Sequence, residues 1–456
     1  MRTVGTQVED RAVETAQRGG VRARVRLGYA AGSLVTGTFT TLPGLLLLPY
    51  LTDTLGVGAA LAGVIVFAPK AWDALLNPLV GRASDRTRTR WGARRPYVLG
   101  GGLAVGLAFA LMFAGPWGGT AGAWFTAAGF LLTATAFAFF QVPYVAMPAE
   151  IVDRQEDRIR LVGGRVAAIG VAALVAGALG PAVVDAGGGG LAGHRWLGLF
   201  GAVVIAVGAV AVFAGTRGTR GDRVVESEPS LRDQLAVARG NAPFMALLRC
   251  VVVQTVATGV LLTGAPYFAD HVLHDSDATG ALVAAFVVPN LLTIGLWSRL
   301  GRRLGGNRRG YTAASALFAA GCLLFLAAPA LPTAAVLLTM ALAGTGHAGQ
   351  LLFLYAMLPD CIAQDTARTA RRQAGVFSGV FTTGEGLGLA LGPFLYGLVL
   401  QAFGYLSSDT GHAARQSSAA EFGVLIGMAV LPALATAAAV ALGGLATRPA
   451  GTTARA

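Results

Sequence analysis

The sequence predicts an all-α integral membrane protein of twelve transmembrane helices, arranged as two six-helix bundles. Three observations carry this expectation. Hydrophobic residues make up 54% of 456 positions and charged residues 13%, with a mean hydropathy of +0.62, so there is too little polar surface to cover a soluble chain. The apolar residues fall in runs long enough to cross about 30 Å of hydrocarbon. The arginines fall in short clusters between those runs, which accounts for the net charge of +12 without any nucleic-acid partner.

Residues 1–26 carry Glu9, Asp10, Glu14 and several arginines but no apolar core, so they read as a cytoplasmic tail and not as a secretory signal. Apolar runs follow at 27–50, 59–81, 96–115, 121–148, 160–185 and 193–215, forming a first bundle over 27–215. The stretch 216–242, with Arg217, Arg220, Asp222, Arg223, Glu226 and Glu228, is a charged linker that divides the runs six and six. A second bundle over 243–446 holds runs at 243–268, 278–300, 310–329, 332–358, 374–403 and 421–446, and 447–456 is a second tail. Arginines crowd the connections after the second run (Arg82, Arg86, Arg88, Arg90, Arg94, Arg95) and the eighth (Arg299, Arg302, Arg303, Arg308, Arg309). Alternate connections carry Asp270, His271, His274, Asp275 and Asp277 instead. The expected location is therefore the cytoplasmic membrane, multi-pass, with both termini cytoplasmic.

The two bundles read as a duplication. A shift of 220 places Pro69 on Pro289, Gly81 on Gly301 and Arg82 on Arg302. A shift of 210 places Ala146-Met147 on Ala356-Met357, Glu150 on Asp360 and Arg158 on Arg368.

An ionisable side chain in hydrocarbon costs about 2.5–3.5 kcal/mol on insertion scales, so each one asks for an explanation. Lys70, Asp73 and Asn77 stand at i, i+3 and i+7 in the second run and share one helical face. Two readings are open there: a Lys70–Asp73 pair that neutralises itself, or Asp73 coupling an ion or substrate. Glu385 has no cation in its own helix, so it faces a cavity, pairs across helices or binds a proton. Its neighbours Gly384, Gly388 and Gly392 form a stripe suited to close helix contact. Arg165 and Arg249 lie near enough to the cytoplasmic face to snorkel, and Gln141, Tyr144 and His347 are expected to hydrogen-bond between helices.

No metal site is expected from Cys250, Cys322 and Cys361, which lack metal-ligand spacing and read as small packing residues. Lys70 is the only lysine and lacks the glycines of a phosphate-binding loop, which argues against nucleotide hydrolysis. No G-x-S-x-G or H-E-x-x-H motif is present, so an enzyme is not expected, and the tails are too short for a signalling domain.

The loop Gly81-Arg-Ala-Ser-Asp85-Arg86-Thr-Arg-Thr-Arg90-Trp91-Gly92-Ala-Arg94-Arg95-Pro96 resembles that between helices two and three of the glycoside–pentoside–hexuronide:cation symporter family, a branch of the major facilitator superfamily. Lys70-Ala-Trp-Asp73-Ala-Leu-Leu-Asn77-Pro78 is similar to the family's helix-two cation motif. Val142-Pro143-Tyr144 through Glu150 to Arg158 and Arg165 resembles its helix-four-to-five segment, and Tyr355-Ala-Met-Leu-Pro-Asp360 with Arg371-Arg372 its segment between helices ten and eleven. The resemblance implies a secondary transporter with alternating access to a midplane site. Its substrate and cation would meet Asp73, Lys70, Asn77, Gln141, Tyr144, Arg165, Thr382 and Glu385. Gly81, Asp85, Arg86, Arg90 and Arg95 would form a conformational latch, with Asp85 pairing with arginines of its own half or capping a helix.

The pattern departs from the melibiose carriers of that family where Asn77 replaces a second acid, Gly37 and Gln141 replace sugar-gripping acids, and Gly386 replaces a lysine. A site with one carboxylate suits a proton better than Na⁺, so H⁺ is the preferred coupling ion and no other cofactor is expected. The partners expected are membrane lipid, a small organic solute and the coupling cation, with the chain acting as a monomer. Export of a drug-like metabolite is the alternative.

Overall fold

The structure is a computed structural model that describes residues 22–152, 155–218, 231–369, 373–408 and 414–445. Twelve helices long and apolar enough to cross a membrane are found among these residues, and no strand. We number them α1 (Ala23–Leu47), α2 (Ala59–Arg86), α3 (Arg95–Met112), α4 (Gly119–Ala146), α5 (Gln155–Ala186), α6 (Gly190–Gly215), α7 (Ala242–His271), α8 (Ala278–Leu304), α9 (Asn307–Ala330), α10 (Thr333–Thr369), α11 (Ala374–Ala402) and α12 (Ser418–Leu445). Leu292 is 76% and Leu107 65% exposed, as expected where the solvent for the outer faces is hydrocarbon and not water.

Helix ends differ from the apolar runs where a helix outlasts the lipid. The first helix begins at Ala23, inside the stretch read as tail, and α10 continues past 358 to Thr369 through Pro359 and the charged Asp360, Asp365 and Arg368. Hydropathy marks the edge of the hydrocarbon, whereas backbone hydrogen bonding carries the helix into water. Within the linker, Leu231–Arg239 forms a short helix packed on α11, and Asn241 caps α7 by accepting from the Phe244 amide at 3.0 Å. Residues 1–21, 219–230 and 446–456 of the tails and linker, and Arg371-Arg372, lie outside the described residues.

The duplication is visible in the packing. In the first half α3 packs on α4 and α6, α2 on α4, and α1 on α5 and α6. In the second, α9 packs on α10 and α12, α8 on α10, and α7 on α11 and α12. Adding six to each helix number converts one set into the other. Gly101 and Gly321, 220 positions apart, do the same work: a Cβ at either would strike the backbone of the next helix, at Phe140 or at Ala343. The same operation exchanges the two largest contacts between halves, α2 with α11 and α5 with α8.

The halves meet chiefly at the end away from the arginine clusters. There Gly63 backs onto Phe394 and Gly397 onto Ala59, while Gly280 lies against Ala178. Inter-half hydrogen bonds cluster at the same end: Thr263 to the Gly44 carbonyl at 2.8 Å, Thr52 with Tyr267 at 2.8 Å, and Ser407 to the Val57 carbonyl at 2.7 Å. The far end is thus sealed in this state, and the basic end is the side on which the halves diverge.

Candidate transport site

The α2 face holds the polar group expected from the sequence, with no contact ion pair between its lysine and its acid. Pro69 and Pro78 flank it, each lacking a backbone donor, and the helix runs through both. The Lys70 ammonium sits 3.6 Å from the centre of the Phe39 ring, with Phe137 and Phe130 at 5.7 and 5.8 Å. Three rings from α1 and α4 thus cage it by their quadrupoles. Among the described residues it has no carboxylate within 4 Å, although Lys70 and Asp73 remain within electrostatic reach of each other. Asp73 Oδ1 and Asn77 Oδ1 are buried with no hydrogen-bond partner, two oxygens one turn apart on the same face.

Facing α2 across the first half, Thr36 donates to Gln141 Oε1 at 2.8 Å, so this glutamine joins α1 to α4 as the sequence led us to expect. Tyr144 also joins them, donating to the Tyr29 carbonyl at 2.6 Å. Arg165 places its guanidinium 5.4 Å from the Tyr144 ring with Nε unpartnered, while its carbonyl accepts from Ser33 at 2.9 Å.

On the second half, Tyr355 of α10 donates to Glu385 Oε2 of α11 at 2.6 Å, the cross-helix pairing that was one of three readings for this acid. Tyr355 is 46% exposed, so the pair borders open space. Arg165 reaches both members electrostatically across the seam. Thr382 is exposed on the same helix and returns its hydroxyl to the Ser378 carbonyl. Gly388 and Gly392 press α11 onto Val252 and Gly259 of α7, the helix contact their spacing predicts. Where the halves close above these groups, a cavity of ≈ 80 Å³ remains, lined by Thr40, Thr41, Gly44, Thr263, Leu389 and Pro393.

The charged cluster at the basic end forms through Arg94. Its Nη2 lies 3.1 Å from Asp85 Oδ1 and its Nε 2.9 Å from Glu150 Oε1, at 4% exposure. Asp85 ends α2, Arg94 precedes α3 and Glu150 follows α4, so one guanidinium ties three segments of one half. Burial raises the Glu150 carboxyl above its ordinary range, with Arg94 opposing and Asp85 adding to the rise. Of the other residues assigned to the latch, Gly81 lies beside Val142, and Arg86 is exposed. Arg90 stacks on Trp91 at 4.9 Å, while Arg95 donates to the Phe213 carbonyl and lies over its ring. None of these arginines pairs with Asp85. Arg94 wins because it enters the helix junction, whereas Arg86 and Arg90 point into water. The second half departs here, with Gly305 at φ +83 ending α8 where the repeat would place Asp85.

Two further groups went unnoticed at the level of sequence. Gln254 and Gln350 exchange hydrogen bonds at 2.8 and 3.0 Å between α7 and α10 while Tyr311 donates to Gln254, a closed network that Cys250 joins by donating to Tyr311. At the sealed end, Tyr405 donates to Asp53 across the seam. Lone polar residues scattered through apolar runs gave the only signal for either.

Two six-helix halves related by an internal repeat, sealed at one end around a charged seam, define a membrane transporter of the major facilitator type. The chain belongs to the MFS/sugar transport protein family, whose model matches residues 28–443, and within it to the glycoside–pentoside–hexuronide:cation symporters. It is 24% identical to a glucuronide carrier protein homolog of Escherichia coli strain K12, over 85% of each chain. It is 23% identical to an isoprimeverose transporter of Lactiplantibacillus pentosus, over 84% of this chain and 81% of that one. In fold it is similar to a bacterial homologue of the human lysosomal transporter Spinster in an inward-facing, occupied conformation, with a TM-score of 0.69 at 15% identity, over 94% of this chain and 97% of the other.

Proposed function

We propose that this symporter-family chain couples inward movement of a small glycoside-like solute to a proton carried by Asp73. The carrying observation is the buried, unpartnered Asp73 Oδ1 beside the equally unpartnered Asn77 Oδ1, with the nearest cation held away on the Phe39 ring. A carboxylate oxygen left without a donor in hydrocarbon needs a proton or a bound cation. One carboxylate and one amide oxygen are few hard ligands for Na⁺, which favours the proton. With the arginine clusters cytoplasmic, the sealed far end makes this an inward-facing state, and alternating access is the rocking of one half against the other. Glycoside-like cargo is supported by the glucuronide and isoprimeverose relatives, and by hydroxyl-matching groups on both sides of the seam: Gln141 and Arg165 on one, Tyr355 and Glu385 on the other.

The test is uptake of glucuronides and xylose-containing disaccharides into proteoliposomes under an imposed pH or sodium gradient. Accumulation that follows the pH gradient and ignores sodium is the expected result, and sodium-driven accumulation without a pH response overturns the coupling assignment.

A further inference from the structure

The seam at the sealed end contains a titratable chain that packing alone does not require. Past α1 the backbone widens into a π-turn at Tyr50–Thr54, so that Leu55 donates back to Tyr50 and Val57 to Leu51. This re-aims Asp53, on the first half, at the second half. The Tyr405 hydroxyl donates to Asp53 Oδ1 at 2.8 Å and stands 2.8 Å from His271 Nε2, the last residue of α7. We propose that Asp53, bridged by Tyr405 to His271, is a proton-binding site on the seam whose occupancy holds the far end of the carrier shut. It is separate from Asp73 and rests on the reading of this chain as an alternating-access carrier.

Both protonation states are satisfied by the same three groups. When Asp53 is ionised, Tyr405 donates to it and accepts from an Nε2–H tautomer of His271. When Asp53 holds a proton, it donates to Tyr405, whose own proton turns to His271 Nε2, with the imidazole proton on Nδ1. The difference lies in charge. From α7, Asp270 and the Tyr267 phenol lie within electrostatic reach of Asp53, and Asp185 at the end of α5 lies within reach of Asp270. Asp277 at the start of α8 lies within electrostatic reach of Asp185, and His274 within reach of His271. On the α6 side His194 lies tilted against the Tyr50 ring, and Arg195, the cation of this group, acts on Tyr50. The first turn of α2 brings no acid, and the α11 side brings the phenols of Tyr396 and Tyr405. Closure therefore brings acids of the two halves together with little cationic relief, and a proton on Asp53 removes one of those charges.

Asp53 lies beyond the first span, and burial pushes its carboxyl up to about 7, against the lowering effect of Tyr405 and Thr52 and with Asp270 adding to the rise. When the seam opens, water returns the group to the ordinary value near about 3.9. The sealed state thus binds the proton more tightly. Its advantage is complete below the ordinary carboxylate value and is lost as pH rises through about 7, with the open-to-sealed ratio growing by up to about tenfold per pH unit in between.

The experiment is pulsed electron resonance between spin labels on Thr120→Cys and Ala334→Cys, exposed positions of the two halves at the far end, in the full chain in lipid nanodiscs at pH 5 and pH 8. The native cysteines are buried. The expected result is a wider distance population at pH 8 than at pH 5, a population that stays narrow at both in Asp53→Asn, and widening already at pH 5 in Tyr405→Phe, which keeps the carboxylate but lacks the bridge. Two distance populations whose ratio ignores pH, or an Asp53→Asn chain that keeps the parental response, overturn this site alone. A single fixed distance under every condition overturns this site and alternating access together.

Discussion

At the residue scale the decisive feature is a mismatch between charge and contact on α2. Lys70, Asp73 and Asn77 were legible as one polar face from spacing alone, because i, i+3 and i+7 leave little freedom on a helix. That Lys70 leaves Asp73 for three phenylalanines was not legible, since Phe39, Phe130 and Phe137 come from other helices and look like ordinary core in sequence. Asp73→Asn is expected to abolish uphill accumulation while counterflow persists, measured in the same proteoliposomes. Unimpaired accumulation reduces Asp73 to a structural residue. Arg94→Ala leaves the part-buried Asp85 and Glu150 as unpaired acids, so it should destabilise the first half by up to about 3 kcal/mol, read as a drop in the thermal transition of the purified protein. Arg90→Ala, whose guanidinium only stacks on exposed Trp91, should shift it little.

At the element scale, helices are held together by missing side chains as much as by present ones. Gly392 puts α11 against the Gly259 backbone of α7, so Gly392→Val forces the helices apart and should cost about 1–3 kcal/mol. Thermal stability checks this, with Gly386→Ala as the control, since a Cβ there meets nothing. The sequence announced the Gly384–Gly392 stripe by its four-residue spacing. It announced helix ends less well, because hydropathy falls at the lipid boundary while α10 continues for another eleven residues past 358, from Pro359 to Thr369. The π-turn that aims Asp53 was not legible at all, since it arises from how Pro43 and Pro49 interrupt the ladder and not from any apolar pattern.

At the scale of the whole molecule, the two halves and their repeat were readable from run lengths, loop arginines and recurring Pro-Gly-Arg positions. Which end is closed was not, because both states of a rocking carrier share one sequence. Sealing needs Gly63 to admit Phe394, so Gly63→Trp should wedge the far end open. The expected outcome is loss of net transport with retained solute binding, seen as thermal stabilisation by the solute without uptake. The caged amine of Lys70 has one more consequence for the molecule as a whole. With a single lysine in 456 residues, side-chain amine acylation has one target, and it is the amine held among Phe39, Phe130 and Phe137. A water-soluble acylating reagent therefore becomes a reporter of how often that cage opens to water, read as the mass increment on the Lys70 peptide, separate from any at the N-terminal amine. Bound cargo should slow the increment, and the kinetics would be obtained without altering a single residue.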